Sequence, residues 1–178
     1  MGLKTYALKA LNSYYWWLDK LNKPAFIRQY PMFLRKLGVK INEKPGDCWI
    51  SPTIFLDSSG YDMIEIGDDC TISFDVVVLV HDYSINNAFR AVGIDAAERH
   101  RVIRRPVKIG RNCFIGARSI IMPGAVLGDN CIVGSGAVVR GSIPAGSIVS
   151  GNPATVISDV HSFAKKHFER QDFDLDER

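Results

Sequence analysis

No CxxC pair occurs in this 178-residue chain, although it holds four cysteines. The thiol spacing that structural zinc sites and dithiol redox centres use is therefore missing, and a reducing cytoplasm is the natural compartment. Long apolar runs are missing as well: none approaches the roughly 18 residues that a membrane-spanning helix needs. The opening MGLKTYALKAL lacks the zones of a signal peptide. Charge of one sign is in short supply. Lys and Arg number 22 against 19 Asp and Glu, a net charge of +3 with the basic residues spread along the chain, which argues against a nucleic-acid partner. At 47% hydrophobic and 23% charged the composition is that of an ordinary globular domain, long enough to bury one core.

What is present is a period. Read in blocks of six, the stretch from Ile109 to Ile143 puts Ile109, Ile115, Ile121, Leu127, Val133 and Val139 in one register. The second position is Gly110, Gly116, Gly128 and Gly134, broken by Met122 and Arg140; the fifth is Cys113, Ser119, Ala125, Cys131 and Ala137, all small. A period of six fits neither an amphipathic helix nor an alternating strand. It fits a parallel β-helix in which each hexapeptide is one short face of a coil. The aliphatic residue points into the core, the glycine is expected to supply a turn conformation that a Cβ would hinder, and the small residue fills the remaining room. Cys70, like Cys113 and Cys131, occupies a fifth position and reads as a packing residue.

Upstream, the same register runs through Ile66, Ile72 and Val78. It then fails, because Ile109 falls one residue beyond a whole number of repeats. Residues 84–106 carry no turn-glycine pattern and five arginines, Arg90, Arg99, Arg101, Arg104 and Arg105. They are expected to form a loop thrown out between two coils, ordered by a neighbour or a ligand rather than locally. The chain thus divides into three regions. Residues 1–46 form an N-terminal helical segment, 47–157 the β-helix with its insertion at 84–106, and 158–178 a C-terminal helix and tail. Apolar residues at helical spacing mark residues 1–23 and 25–37, with Pro24 ending or kinking the first run, and the helical pattern near the C-terminus extends over 154–170. The first helix has two readings: a packing helix against the core or another subunit, or an interfacial helix in peripheral membrane contact, since Tyr14-Tyr15-Trp16-Trp17 lies among lysines.

These hexapeptides, the ending Ser150-Gly151-Asn152-Pro153-Ala154 and a histidine just before a loop resemble the left-handed β-helix acyltransferases, most of all the maltose/galactoside and polysaccharide O-acetyltransferase group. The resemblance covers residues 47–157. It implies a mainly β fold, a left-handed parallel β-helix with an N-terminal helical segment and a C-terminal capping helix. It also implies acetyl-CoA as cosubstrate with no metal, a homotrimer with sites between subunits, and a small-molecule or saccharide acceptor.

A sugar hydroxyl needs a general base to attack a thioester, and histidine titrates in the useful range. His81 stands where the repeat gives way to the loop, and the resemblance puts the family's catalytic histidine there. Its orienting partner stays open between the adjacent Asp82 and, from the coil beneath, Asp57 or Asp62; the asparagine that relatives often place in the preceding coil is missing near Pro52–Phe55. By the same resemblance the pantetheine arm runs past Ala117 and Ser135, with Arg140 and Gly141 where relatives show Thr-Lys, and Arg118, Lys165 or Lys166 as further cations for the phosphates. The alternatives are N-acetylation of an amino sugar, a non-catalytic scaffold, and a zinc enzyme like the γ-class carbonic anhydrases. The last would need three converging histidines, where only His81 and His100 lie in or beside the repeats.

Overall fold

The protein, examined as a computed structural model, is described over residues 3–94 and 101–174, with side chains in the first helix from Leu11 onward, Asn12 excepted. Two helices open the chain, α1 (Leu3–Leu21) and α2 (Lys23–Leu37). Pro24 sits in the first turn of α2, where a missing N–H costs nothing. Asn22 caps that turn by accepting from the Ala25 N–H at 3.1 Å, and Gly38 ends the helix in the left-handed conformation at φ 114°. Helix α2 lays Phe26, Tyr30 and Leu34 onto the first turn of the β-coil, where all three are buried.

The coil winds through three faces. Its first turn is β1 (Trp49–Ile50), β2 (Phe55–Leu56) and β3 (Ile64–Ile66). The second is β4 (Thr71–Ile72) and β5 (Val77–Val78). An excursion then carries β6 (His81–Asp82), α3 (Ile85–Ala91) and β7 (Ile103–Arg104) before β8 (Val107–Ile109) closes the turn. The third is β9 (Phe114–Ile115), β10 (Ile120–Ile121) and β11 (Val126–Leu127); the fourth is β12 (Ile132–Val133), β13 (Val138–Val139) and β14 (Ser142–Ile143). Strand β15 (Ser147–Gly151) begins a fifth turn, and β16 (Ala154–Asp159) folds back on it. Parallel pairing stacks β1, β4, β9, β12 and β15 as a first face, β2, β5, β10 and β13 as a second, and β3, β8, β11 and β14 as a third. The register is the hexapeptide register: Leu56, Val78, Ile121 and Val139 align on the second face, and Ile66, Ile109, Leu127 and Ile143 on the third. These aligned aliphatics are buried and form the axis of the core. Full burial of one such side chain is worth roughly 1.5–3 kcal/mol.

The glycines do a different job from the one expected. Gly110 and Gly116 do not take positive φ; they allow neighbouring coils to approach. A Cβ on Gly110 would stand 2.6 Å from the Gly128 carbonyl carbon, and one on Gly116 would stand 2.6 Å from the Ser135 nitrogen. The left-handed conformation falls two residues later, on Asp69, Asn112, Arg118 and Asn130. Asn and Asp tolerate it because their short polar side chains bond locally. The four cysteines stack at the edge leading into the first face, each fully or almost fully buried, and the Cys70, Cys113 and Cys131 thiols meet carbonyls of the next coil at 3.1–3.2 Å. Burial pushes the Cys48 thiol up to about 11.

Two segments differ from expectation. Residues 154–159 are strand, not helix: β16 pairs antiparallel with β15 and covers its open edge. The last helix, α4 (Val160–Arg170), starts only after Asp159, whose side chain caps it by accepting from the Ser162 N–H at 2.9 Å. The described part of the 84–106 excursion is held locally. Strands β6 and β7 pair antiparallel, and buried Asn86 donates to the Tyr83 and Arg101 carbonyls (2.8 and 2.7 Å) and accepts from the Arg101 N–H (2.8 Å). One amide side chain thereby supplies the cross-links that the sequence pattern did not reveal. Arg99 and His100 lie outside the described residues.

Candidate active site

The second edge of the coil, where the second face turns into the third, brings together residues far apart in sequence. Strand β2 ends at Leu56, so Asp57 leaves the first coil at the height where Val80 leaves the second; the Asp57 N–H donates to the Val78 carbonyl at 3.0 Å. Only 4% of the Asp57 side chain is exposed. A buried carboxylate needs donors, and several converge. The Ser59 N–H gives to Oδ1 at 3.0 Å, and the Val80 N–H to Oδ2 at 3.0 Å. The His81 ring nitrogen Nδ1 also meets Oδ2. Desolvation works to raise the Asp57 pKa, yet the hydrogen bonds from Val80, Ser59 and His81 together outweigh it and hold the carboxyl at about 2. An ionised carboxylate can only accept, so Nδ1 carries the proton in this contact, and in the neutral tautomer of the ring Nε2 is the acceptor.

Ser59 and Arg104 complete the arrangement. The Ser59 Oγ lies 2.9 Å from His81 Nδ1, and Arg104 Nη1 donates to the Ser59 carbonyl at 2.9 Å and to its Oγ at 3.2 Å. Arg104 gets there because β6 and β7 place it opposite His81. The Tyr83 ring meets the imidazole edge-on at 5.1 Å. The imidazole itself is 27% exposed, so one side of it is open to solvent while the other is fixed. An imidazole oriented in this way can take a proton from an incoming hydroxyl.

The other expected site residues divide between two edges. Asp82 is beside His81 but turned away: its Oδ1 accepts from the Ser84 N–H at 2.7 Å. That bond and one from the Ser84 side chain lower its pKa, with smaller help from the charge of Arg140 and from His81. Arg140 and Gly141 follow β13 and thus belong to the same edge as His81. Asp62 lies in a 3-10 turn, Tyr61–Met63, outside the His81 hydrogen-bond network. Ala117 and Ser135 stack on the first edge instead, where the Gly136 N–H donates to the Ala117 carbonyl at 2.8 Å. Arg118 stands beside them, 3.7 Å from Asp75. Between the two edges lies the second face, whose outward residues Phe55, Val77, Ile120 and Val138 are all apolar. Lys165 and Lys166 belong to α4, and Lys165 pairs with Glu169 at 3.9 Å.

Sequence reasoning passed over Ser59 and Arg104. Ser59 carried a signal, since Asp-x-Ser before Gly60 is an Asx turn that brings the serine back over its aspartate. Arg104 carried none, because its pairing partner lies across the excursion.

Comparison with known proteins adds to this geometry. The family described as "Hexapeptide repeat of succinyl-transferase" matches residues 106–140. Protein CapG of Staphylococcus aureus is 35% identical over 141 residues, spanning 79% of this chain and 77% of that protein. Galactoside O-acetyltransferase of Escherichia coli (strain K12) is 25% identical over 167 residues, 86% of this chain and 79% of its own length. Among solved structures, a galactoside acetyltransferase in complex with coenzyme A superposes with a TM-score of 0.60 at 19% identity, covering 99% of this chain and 92% of that one. The coil is a left-handed parallel β-helix, as in these structural neighbours. The chain belongs to the hexapeptide-repeat acetyltransferases.

Proposed function

We propose that this protein moves an acetyl group from acetyl-CoA to a hydroxyl of a sugar or polysaccharide precursor, with His81 as general base. The observation that carries the reading is the buried Asp57 carboxylate on Nδ1 of the partly exposed His81, which leaves Nε2 as the ring's proton acceptor. Nε2 takes the hydroxyl proton as the oxygen attacks the thioester carbonyl. The tetrahedral intermediate then collapses, the C–S bond breaks, and the imidazolium returns its proton to the departing CoA sulfur. Asp57 keeps the hydrogen bond from His81 Nδ1 throughout and stabilises the imidazolium while it lasts.

The sugar acceptor and the acetyl donor both accord with the relatives, one named a galactoside O-acetyltransferase and one solved with coenzyme A. The subunit arrangement rests on where the residues lie. Ala117 and Ser135 occupy one edge and His81 the other, separated by an apolar face of Phe55, Val77, Ile120 and Val138. Three copies packed through that face bring the first edge of one subunit to the second edge of the next. The pantetheine arm would lie along backbone groups at Ala117 and Ser135, with Arg140 and Gly141 at the neighbouring edge and Arg118 as a cation for phosphate. The test is a panel of neutral, acidic and amino sugars assayed for CoA release with acetyl-CoA as donor. Turnover with a hydroxyl sugar is the expected result; turnover with amino groups alone moves the reaction to N-acetylation, and no turnover or CoA binding with any acceptor overturns the reading.

A further inference from the structure

The net charge of +3 hides an uneven division along the chain. Residues 1–40 carry eight Lys and Arg and one acid, a balance of +7, so the remaining 138 residues carry −4 of the overall +3. The one acid, Asp19, is turned inward: its Oδ1 accepts from Trp49 Nε1 at 2.9 Å and its side chain is 10% exposed. Among described side chains, the outer surface of the first two helices carries no other acid.

Helix α1 is attached along one side. Tyr15 packs its ring against Tyr30 and Phe33 of α2 at 5.0 and 5.1 Å, and Leu18 joins the core. Tyr14, Trp17 and Leu21, on successive turns of one stripe beside that contact, remain 50%, 58% and 78% exposed, although the Tyr14 hydroxyl reaches Gln29 of α2 at 3.5 Å and Trp17 borders a groove with Pro52 and Thr53 of the coil. Trp16 stacks edge-on with Trp17 at 4.9 Å and is itself 41% exposed. Lys20 and Lys23, both exposed, flank the stripe. Amphipathic aromatic rings beside lysines are the side chains that settle at the boundary between lipid headgroups and acyl chains. No helix among the described residues is long and apolar enough to cross a membrane, so the chemistry is that of a helix lying on a bilayer. Two copies meeting through this face would instead bring like charges together.

We propose that α1 is a membrane-surface anchor: the Tyr14–Trp17–Leu21 stripe enters the headgroup–acyl boundary of a bilayer containing anionic lipid, and Lys20 and Lys23 engage the headgroups. The inference is independent of the acetyltransferase reading, because none of these residues belongs to the His81 site.

The test is sedimentation of the full-length protein with vesicles of phosphatidylcholine alone and of phosphatidylcholine with 30% phosphatidylglycerol, at low and high salt. Binding to the anionic vesicles only, weakened by salt and accompanied by a blue shift of tryptophan emission, is the expected result. The double variant Trp17→Ser, Leu21→Ser should lose about tenfold or more of the partitioning. Its melting temperature and its turnover of a soluble acceptor should match the parent. Equal binding by parent and double variant, or none by the parent, overturns the proposal. So does a change of oligomeric state in the double variant, which would assign the stripe to a subunit contact. Binding to an acidic protein with no binding to either vesicle overturns it equally.

Discussion

The carboxylate of Asp57 and the imidazole of His81 meet across adjacent coils, joined at Nδ1 although 24 positions separate them. The Val80 N–H binds the same carboxylate oxygen, so the backbone that delivers the histidine also fixes its partner. Asp57→Asn keeps the shape but offers Nδ1 a neutral amide. Activity should fall by about 10²- to 10⁴-fold in kcat, with KM for acetyl-CoA little changed. Steady-state kinetics at saturating acceptor measure this, and an unchanged kcat would remove Asp57 from the mechanism.

The same carboxylate sets a pH dependence of stability. Its folded pKa of about 2 lies below the ordinary 3.8, so the folded state binds fewer protons than the unfolded one. The stabilisation, on the order of 2 kcal/mol, is fully present above the unfolded value and is lost as pH falls from about 4 through about 2. Urea unfolding of the parent and of Asp57→Asn across that window should show the gap between them closing with acid. A gap that widens on acidification contradicts the assignment.

The glycine at the second position of the repeat is a packing requirement, and the left-handed turn residue is not. Gly110→Ala drives a methyl against the Gly128 backbone and should cost about 1–3 kcal/mol or more. Gly136, at φ 72° with nothing within 4 Å, occupies the turn position that Asn112 and Asn130 fill at φ 50° and 60°. Gly136→Asn should therefore stay within about 0.5 kcal/mol of the parent. Thermal melts of the two variants check the ranking.

The apolar second face predicts the assembly. Ile120→Lys places a charge in the middle of that face without touching the core residue Ile121 beside it. The parent should sediment as a trimer and the variant as a monomer, with activity lost although the fold, read by circular dichroism, survives. A parent that sediments as a monomer and still turns over contradicts the shared site.

The coil was legible because its core positions repeat. Ile109, Ile115 and Ile121 align with their neighbours in the register that the six-residue spacing dictates, and no other regular structure has that period. The excursion was not legible. Its order depends on the β6–β7 pairing and on the Asn86 amide, which bonds Arg101 15 positions away, and such contacts have no period. The end of the chain misled for a related reason: Val156 is part of an apolar helical spacing, but the unpaired edge of β15 takes residues 154–159 as a strand. At the site, His81 could be singled out from where the repeat breaks, while Asp57 was one of three candidate partners beside Asp82 and Asp62, and only the fold brings it onto the ring. Arg104 could not, since only the β6–β7 pairing brings it to Ser59. The charge on the first two helices stayed hidden behind a total of +3.

The central claim is that His81 is the base for acetyl transfer, and His81→Ala tests it most directly. CoA release is followed with acetyl-CoA and a hydroxyl sugar that the parent accepts, alongside melting temperature and sedimentation. The predicted result is loss of turnover by at least about 10²-fold with fold and assembly intact. Turnover retained at the parental rate in a folded, assembled His81→Ala protein would contradict the account.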